Sequence, residues 1–279
     1  MSIRVVTDSS CDLPQGLVDA LRIEIVPLTI RFGSEEFVDR EELSTEEFWR
    51  RLETSKVLPE TAAPSAGAFE QKFRDLVGRG ATGIVCVNLS SHLSATMQSA
   101  QVAAAAVSKD VPVQVIDSRS ASMGLGNLVL TAARRAADSD SLESIVAEVV
   151  DRRDRTKLFA TLDTLEFLKR GGRIGNARAL LGTVLSIKPI VELREGIVEE
   201  SSKVRTRSKA LKQLAQHAAE GRIEHLAVLH GMAPDVEELL ELLDSVFPRD
   251  EVITGVVGPV IGTHVGPRVI GVTYQVVKP

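Results

Sequence analysis

Apolar and polar positions alternate in short blocks along the first half of the chain. Ile3 to Thr7 reads as a buried strand entering the polar turn DSSCDLP, and Pro14 then suits the first turn of a helix carrying Leu17, Val18 and Leu21. The run IEIVPLTIRF, residues 23–32, predicts one longer strand, which Gly33-Ser34 turns back on EEFVD as a hairpin. Ser44 and Glu47 have capping-box spacing ahead of Phe48, Trp49 and Leu52. The stretch SKVLPETAAPSAG reads as a loop, ending where Ser65 can cap a helix with Phe69, Phe73, Leu76 and Val77 on one face. Gly83 to Val87 and Val111 to Asp117 are two further strands, which enter NLSSHLSAT and DSRSASMG. Strands that alternate with helices imply a mostly parallel sheet flanked by helices, with ligands at the carboxyl ends of its strands.

The rhythm changes near residues 155–160, where the charge run DRRDRTK precedes the strand-like LFAT. The expected organisation is therefore α/β with two domains, residues 1–157 and 158–279. In the second, TLEFLKRGG is a helix ending at Gly171-Gly172, and Asn176 to Leu185 is a helical stretch. KPIVELREGIVEESSKV folds as an antiparallel hairpin about Arg-Glu-Gly. Helix and strand then alternate up to GPVIGTHVGPRVIGVTYQV, where the histidine is expected in a loop between two strand-like runs.

Composition narrows the possible functions. The 279 residues carry a net charge of -5, which disfavours nucleic acid as a partner because that binding depends on neutralising phosphates. Only 4% of residues are aromatic, so any pocket should be walled by aliphatic side chains. Cys11 and Cys86 lack metal-ligand spacing and are expected to be reduced. MSIRVVTDSS enters a strand at once, and no apolar run approaches the ~20 residues of a membrane helix. A cytoplasmic protein without stable membrane insertion is expected, with no metal.

The polar chemistry gathers in loops. TDSSCD, NLSSHLSAT and DSRSASMG each follow a strand, and TAAPSAG adds a fourth polar cluster at a helix start. If these loops share one edge of a sheet, their hydroxyls and the helix N-termini favour an anion, and Ser94 or Thr96 is well placed to contribute. A serine that only caps its helix would look the same in sequence. Phosphate loops of the GxxxxGK[ST] and GxGxxG types are absent. GTHVGPR offers His264 as a hydrogen-bond donor, or as a tie for a tight turn. Lys169 to Arg178 holds four cations and Lys203 to Lys212 five, neither with an acid, as a docking face or a solvated one.

Taken in order and spacing, VTDSSCDLP, Thr61-x-x-Pro64-Ser65, LSSHLSATMQSA, VIDSRSASMGLG, LEFLKRGGRI, KVRTRSKAL and GTHVGPR resemble the DegV family over nearly the whole chain. The resemblance implies a two-domain α/β protein that is not itself an enzyme and has no cofactor. It implies one bound long-chain fatty acid, whose carboxylate is presented to a separate ATP-dependent fatty acid kinase that makes acyl phosphate. It places the carboxylate at Thr61, Ser94 and His264, with a backbone N–H at Ala95, and turns Arg170, Arg173, Lys203 and Arg205 toward the kinase. The chain departs from the family pattern at Ala62-Ala63, at Ala95 and at Arg268, the last close to the expected head-group site.

Charge burial is consistent with such a ligand: an ionised carboxylate needs several convergent donors, which a threonine, a serine and a histidine can supply. Two other classes compete with a carrier. A serine acyl hydrolase using Ser94 and His264 lacks a GxSxG elbow and an evident third member. A DNA-binding regulator is opposed by the net charge.

Overall fold

The computed structural model of the chain describes residues 2–180 and 187–278. The first half contains strands β1 (Ile3–Asp8), β2 (Glu24–Val26), β3 (Thr29–Phe32), β4 (Glu35–Val38), β5 (Glu60–Ala62), β6 (Gly83–Asn88) and β7 (Val113–Asp117). Its helices are α1 (Gln15–Ala20), α2 (Thr45–Thr54), α3 (Ala66–Gly78), α4 (Thr96–Ala106), α5 (Ser122–Ala137) and α6 (Leu142–Arg155). The fold is α/β. β2-β1-β6-β7 form a parallel sheet, and β6 is buried along its whole length, which explains its unbroken apolar sequence. Ser44 accepts a hydrogen bond from the Glu47 N–H and Ser65 from the Ala68 N–H, so both anticipated caps form.

The strand expected over residues 23–32 is two strands in two sheets. β2 joins β1 in the parallel sheet, whereas β3 pairs antiparallel with β4 and with β5. Pro27 sits at the break and cannot donate to a ladder. The Leu28 N–H next to it donates to Ser9 Oγ at 3.1 Å instead of to a strand. The residues around Thr61, expected as loop, form β5, with Thr61 opposite Ile30.

The chain leaves the parallel sheet after α6. Besides the small β4-β3-β5 sheet, β8 (Thr156–Thr161), β9 (Lys188–Arg194), β10 (Ile197–Val204), β11 (Ile223–His230), β12 (Ile253–Val256) and β13 (Ile270–Val276) form a second large sheet. Its order is β10-β9-β8-β13-β11-β12, antiparallel except between β11 and β12. The expected β9–β10 hairpin turns at Glu195 and Gly196, both with positive φ, as a two-residue turn requires. The helices of this half are α7 (Glu166–Arg170), α8 (Arg207–Ala219), α9 (Val236–Leu243) and α10 (Pro259–Val265).

Two expectations change here. The stretch from Asn176 is a 3-10 turn over Gly175–Leu180 in its described part, and positions 181–185 lie outside the described residues. His264 is not in a loop: it lies in the last turn of α10, which Pro259 opens at the first helical position and Gly266 closes at φ 74. α5 packs against strands of both sheets, and every residue from Ser122 to Ala133 is buried. Gly126 permits this approach, since a Cβ there would lie 2.8 Å from the Cys11 carbonyl oxygen.

Candidate ligand-binding site

A cavity lies between the inner face of the second sheet and the loops at the carboxyl ends of β6 and β7. It offers about 120 Å3 to the centre of a water molecule and about 1020 Å3 of atom-free space when its open mouth is included. Most of the wall is aliphatic. Leu89 and Leu93 contribute from the loop after β6, Leu158 and Ala160 from β8, Val191 and Leu193 from β9, and Val260 and Ile261 from α10. Sheet alternation sets which residues face it: Ala160, Val191 and Leu229 belong to the inner core, while Ile190 and Val228 pack on the other face.

Polar residues line the cavity as well, among them Thr61, Ser94, Arg173, Glu192 and His264. Thr61 Oγ1 and His264 Nε2 are 2.9 Å apart, which joins β5 to α10 across 203 residues of sequence. Burial, with the charge of Arg173 adding, pushes the His264 pKa down to about 4, so the ring is neutral near pH 7. Its Nδ1 is buried and has no hydrogen-bond partner among the described residues. A Cβ on Gly171 would overlap that atom, so the first glycine of the Gly-Gly pair is what lets α7 close on the imidazole.

Arg173 lines the same cavity. Its Nε donates to the Leu93 carbonyl at 3.0 Å and its Nη1 to that of Gly171, which draws the loop carrying Ser94 toward α7. Ser94 Oγ lies 2.8 Å from Thr96 Oγ1 and accepts from the Thr96 N–H. Three of the anticipated head-group residues, Thr61, Ser94 and His264, thus share one wall. Ala95, expected to offer its backbone N–H, is at the N-cap of α4, next to Ser94, with its side chain exposed. No Ser94–His264 hydrogen bond occurs among the described residues: His264 meets Thr61, and Ser94 meets Thr96.

The polar loops converge as parallel strand ends must, but most of their hydroxyls are consumed among themselves. Asp8 accepts from the Ser10 N–H and hydroxyl, from Asn88 Nδ2 and from the Leu89 N–H. Ser90 Oγ donates to the Gly196 carbonyl and Ser91 Oγ to Asp117. Asp12, at φ 50, accepts from Ser122 Oγ and from the Gly258 N–H, and so links the starts of α5 and α10 behind the cavity. A Cβ on Gly258 would lie 2.6 Å from Asp12 Oδ1. Burial raises all three nearby carboxyls: Asp8 upward, Asp12 to about 7 and Asp39 to about 6. Sequence reading did not separate these latching groups from the ligand-facing ones, and the Gly-Gly pair was the one available signal for the packing on His264.

Of the residues expected on a docking face, Arg170, Lys203 and Arg205 are exposed, with Arg170 paired to Glu166 and Lys203 3.8 Å from Glu200. Arg173 differs from them: it is half-buried in the cavity wall.

The sequence model of the DegV family, described as "Uncharacterised protein, DegV family", matches residues 2–276. The chain belongs to the DegV family. It is 36% identical over 278 residues to a DegV domain-containing protein of Streptomyces coelicolor, covering 98% of each. The fatty-acid-binding DegV family protein of Thermus thermophilus superposes on it with a TM-score of 0.91 at 35% identity, over 99% of this chain and all of that one. DegV of Bacillus subtilis, a fatty acid binding protein, gives 0.88 at 28% identity over 99% and 100%. Among the described residues of this DegV-family chain, no helix is long and apolar enough to cross a membrane.

Proposed function

We propose that this chain binds a single long-chain fatty acid non-covalently and presents its carboxylate to a separate kinase for acyl-phosphate formation. The observation that carries the reading is a mostly aliphatic cavity whose wall also carries Thr61, Ser94, Arg173 and His264, with Thr61 and His264 in direct contact. Solved relatives that superpose closely on this chain are fatty-acid-binding proteins.

The chemistry follows from the protonation of His264. A neutral ring that carries its proton on Nε2 donates to Thr61 Oγ1, and the threonine hydroxyl is then free to donate outward to a carboxylate oxygen. Ser94 acts likewise when the Thr96 hydroxyl donates to it. The guanidinium of Arg173 supplies the opposite charge that a partly buried carboxylate needs. The tail supplies the affinity: at ~0.8 kcal/mol per methylene, roughly fourteen to sixteen methylenes bury about 11 to 13 kcal/mol before ordering costs.

Within this reading the protein itself performs no chemistry, and the exposed cations Arg170, Lys203 and Arg205 face the kinase. The division into units of 1–157 and 158–279 belongs to the same proposal, supported by the change of sheet at Thr156 and by a cavity walled from both halves. Mass spectrometry of the purified, denatured protein is expected to release a C14 to C20 fatty acid. Lipid-free preparations that also fail to bind added fatty acid would reject the reading. Charge reversal at Arg205 is expected to slow acyl-phosphate formation while leaving fatty-acid affinity unchanged, and unaltered turnover with a cognate kinase would remove the docking role.

A further inference from the structure

The cavity has a second end, and its construction is different. β8 leaves the sheet at Thr161 toward α7, and Gly171 after α7 packs on His264, so the carboxyl end of β8 belongs to the polar end. Leu158 lies four residues back from Leu162 on the same wall, roughly 13 Å away at the rise of an extended strand. Leu158 precedes Phe159 and Leu193 follows Glu192, so one step beyond that pair of the antiparallel ladder the two leucines lie opposite each other on the inner face. Leu158 Cδ1 also packs on α5, 3.3 Å from where a Cβ of Gly124 would sit.

Both leucines, together with Phe159 and Glu192, line a second depression as well, of about 40 Å3 to a water centre, and most of its remaining wall is charged. Arg119 is paired there with Glu195 and lies 3.9 Å from Asp154. Arg153, whose side chain is only 15% exposed, meets Asp154 at 2.9 Å. The two leucines, backed by Phe159 and Glu192, therefore form a thin partition between an aliphatic space and a set of ion pairs in which Arg153 is the largely buried member. An alkyl chain that ends at the partition gains burial with every methylene. One that passes it must displace a leucine and strip water from those charges, so added methylenes stop contributing.

We propose that Leu158 and Leu193 set the longest acyl chain this cavity accepts, as a two-leucine stop backed by the ion-paired depression at Arg119 and Arg153. The inference rests on the fatty-acid reading above and adds to it the residues that measure the chain.

The test is a binding series of saturated fatty acids from C12 to C24 on the delipidated full chain, with each variant's melting transition recorded. Wild type is expected to gain roughly fourfold in affinity per methylene up to a break and to lose affinity beyond it. Leu158→Ala and Leu193→Ala should move the break at least two carbons longer, and Leu158→Phe should move it shorter. A break that stays at the same length in variants that still bind C12 overturns the stop and leaves the fatty-acid reading intact. Wild type that binds no member of the series rejects the reading itself, and the stop with it. The alanine and phenylalanine variants act in opposite directions, so a substitution that fails to fold leaves the others to decide.

Discussion

The loop after β1 and the Thr61–His264 pair are both buried, hydroxyl-bearing groups beside one cavity, yet they are built in opposite ways. In the loop, Asp8 accepts four hydrogen bonds and Asp12 two, and Ser9, Ser10 and Ser122 each have a partner. At the pair, one hydrogen bond joins two distant elements, and the Thr61 hydroxyl, on the cavity wall, makes no other among the described residues. A completed network holds segments together and has nothing left to offer a ligand. An incomplete one on an apolar wall is poised to accept one. Hydroxyl density therefore does not mark a binding site; unspent hydrogen-bonding capacity facing a cavity does.

That contrast is sharpest in substitutions that remove one polar group from each region. Asp8→Ala strands the Asn88 amide and the Leu89 and Ser10 N–H groups in the interior, and should cost about 3 kcal/mol or more in urea unfolding. A loss below about 1 kcal/mol would break the distinction. Thr61→Ala should instead cost no more than about 1 kcal/mol in unfolding and weaken fatty-acid binding by about ten- to a hundredfold, the worth of one lost hydrogen bond to a charged group, and His264→Ala should weaken binding in the same direction. Titration of each variant with a fluorescent fatty acid measures this, and wild-type affinity in both would remove them from the head-group site.

Acid should act on the two regions with opposite sign. Asp12 is raised from 3.8 to about 7 and Asp39 to about 6, so the folded state binds more protons than the unfolded one across that range. Their contribution is full below pH 3.8 and is lost as pH rises through 6 to 7. His264 is lowered from 6.5 to about 4, so its contribution is full above pH 6.5 and is lost as pH falls through 4. Between pH 4 and 6.5, Asp12→Asn should therefore gain on wild type as pH rises and His264→Asn as pH falls. Unfolding midpoints in urea across this window report both, and slopes of equal sign would contradict the assignment. The smallest effect is expected at Ser91, whose hydroxyl meets Asp117 at the surface: Ser91→Ala should change stability by less than about 0.5 kcal/mol and leave binding unaltered.

Periodicity and capping made much of the first half legible before any coordinates. The Ser44 and Ser65 caps, the buried β6 run and the β3–β4 hairpin all depend on residues within a few positions of one another. The failures share a cause. Ile23 to Phe32 has an unbroken strand pattern, and only pairing partners elsewhere show that Pro27 divides it between two sheets. Pro259 and Gly266 carry helix start and stop signals, but the glycines around His264 read as loop. Arg173 belongs by sequence to a basic run, and its place in the cavity depends on the Leu93 carbonyl, 80 residues away in the chain.

By itself, then, the sequence determined the α/β class, the polar loops at strand ends and an aliphatic rather than aromatic interior. Local propensity, side-chain period and composition act over short stretches of chain and need no partner to be expressed. Only the tertiary structure decided which hydroxyls remain unspent, which face of β8 and β9 is hollow, and that Thr61 and His264 meet across 203 residues. Those outcomes depend on distant groups competing for the same hydrogen bonds and the same buried space, and that competition is settled only when the two sheets pack around α5.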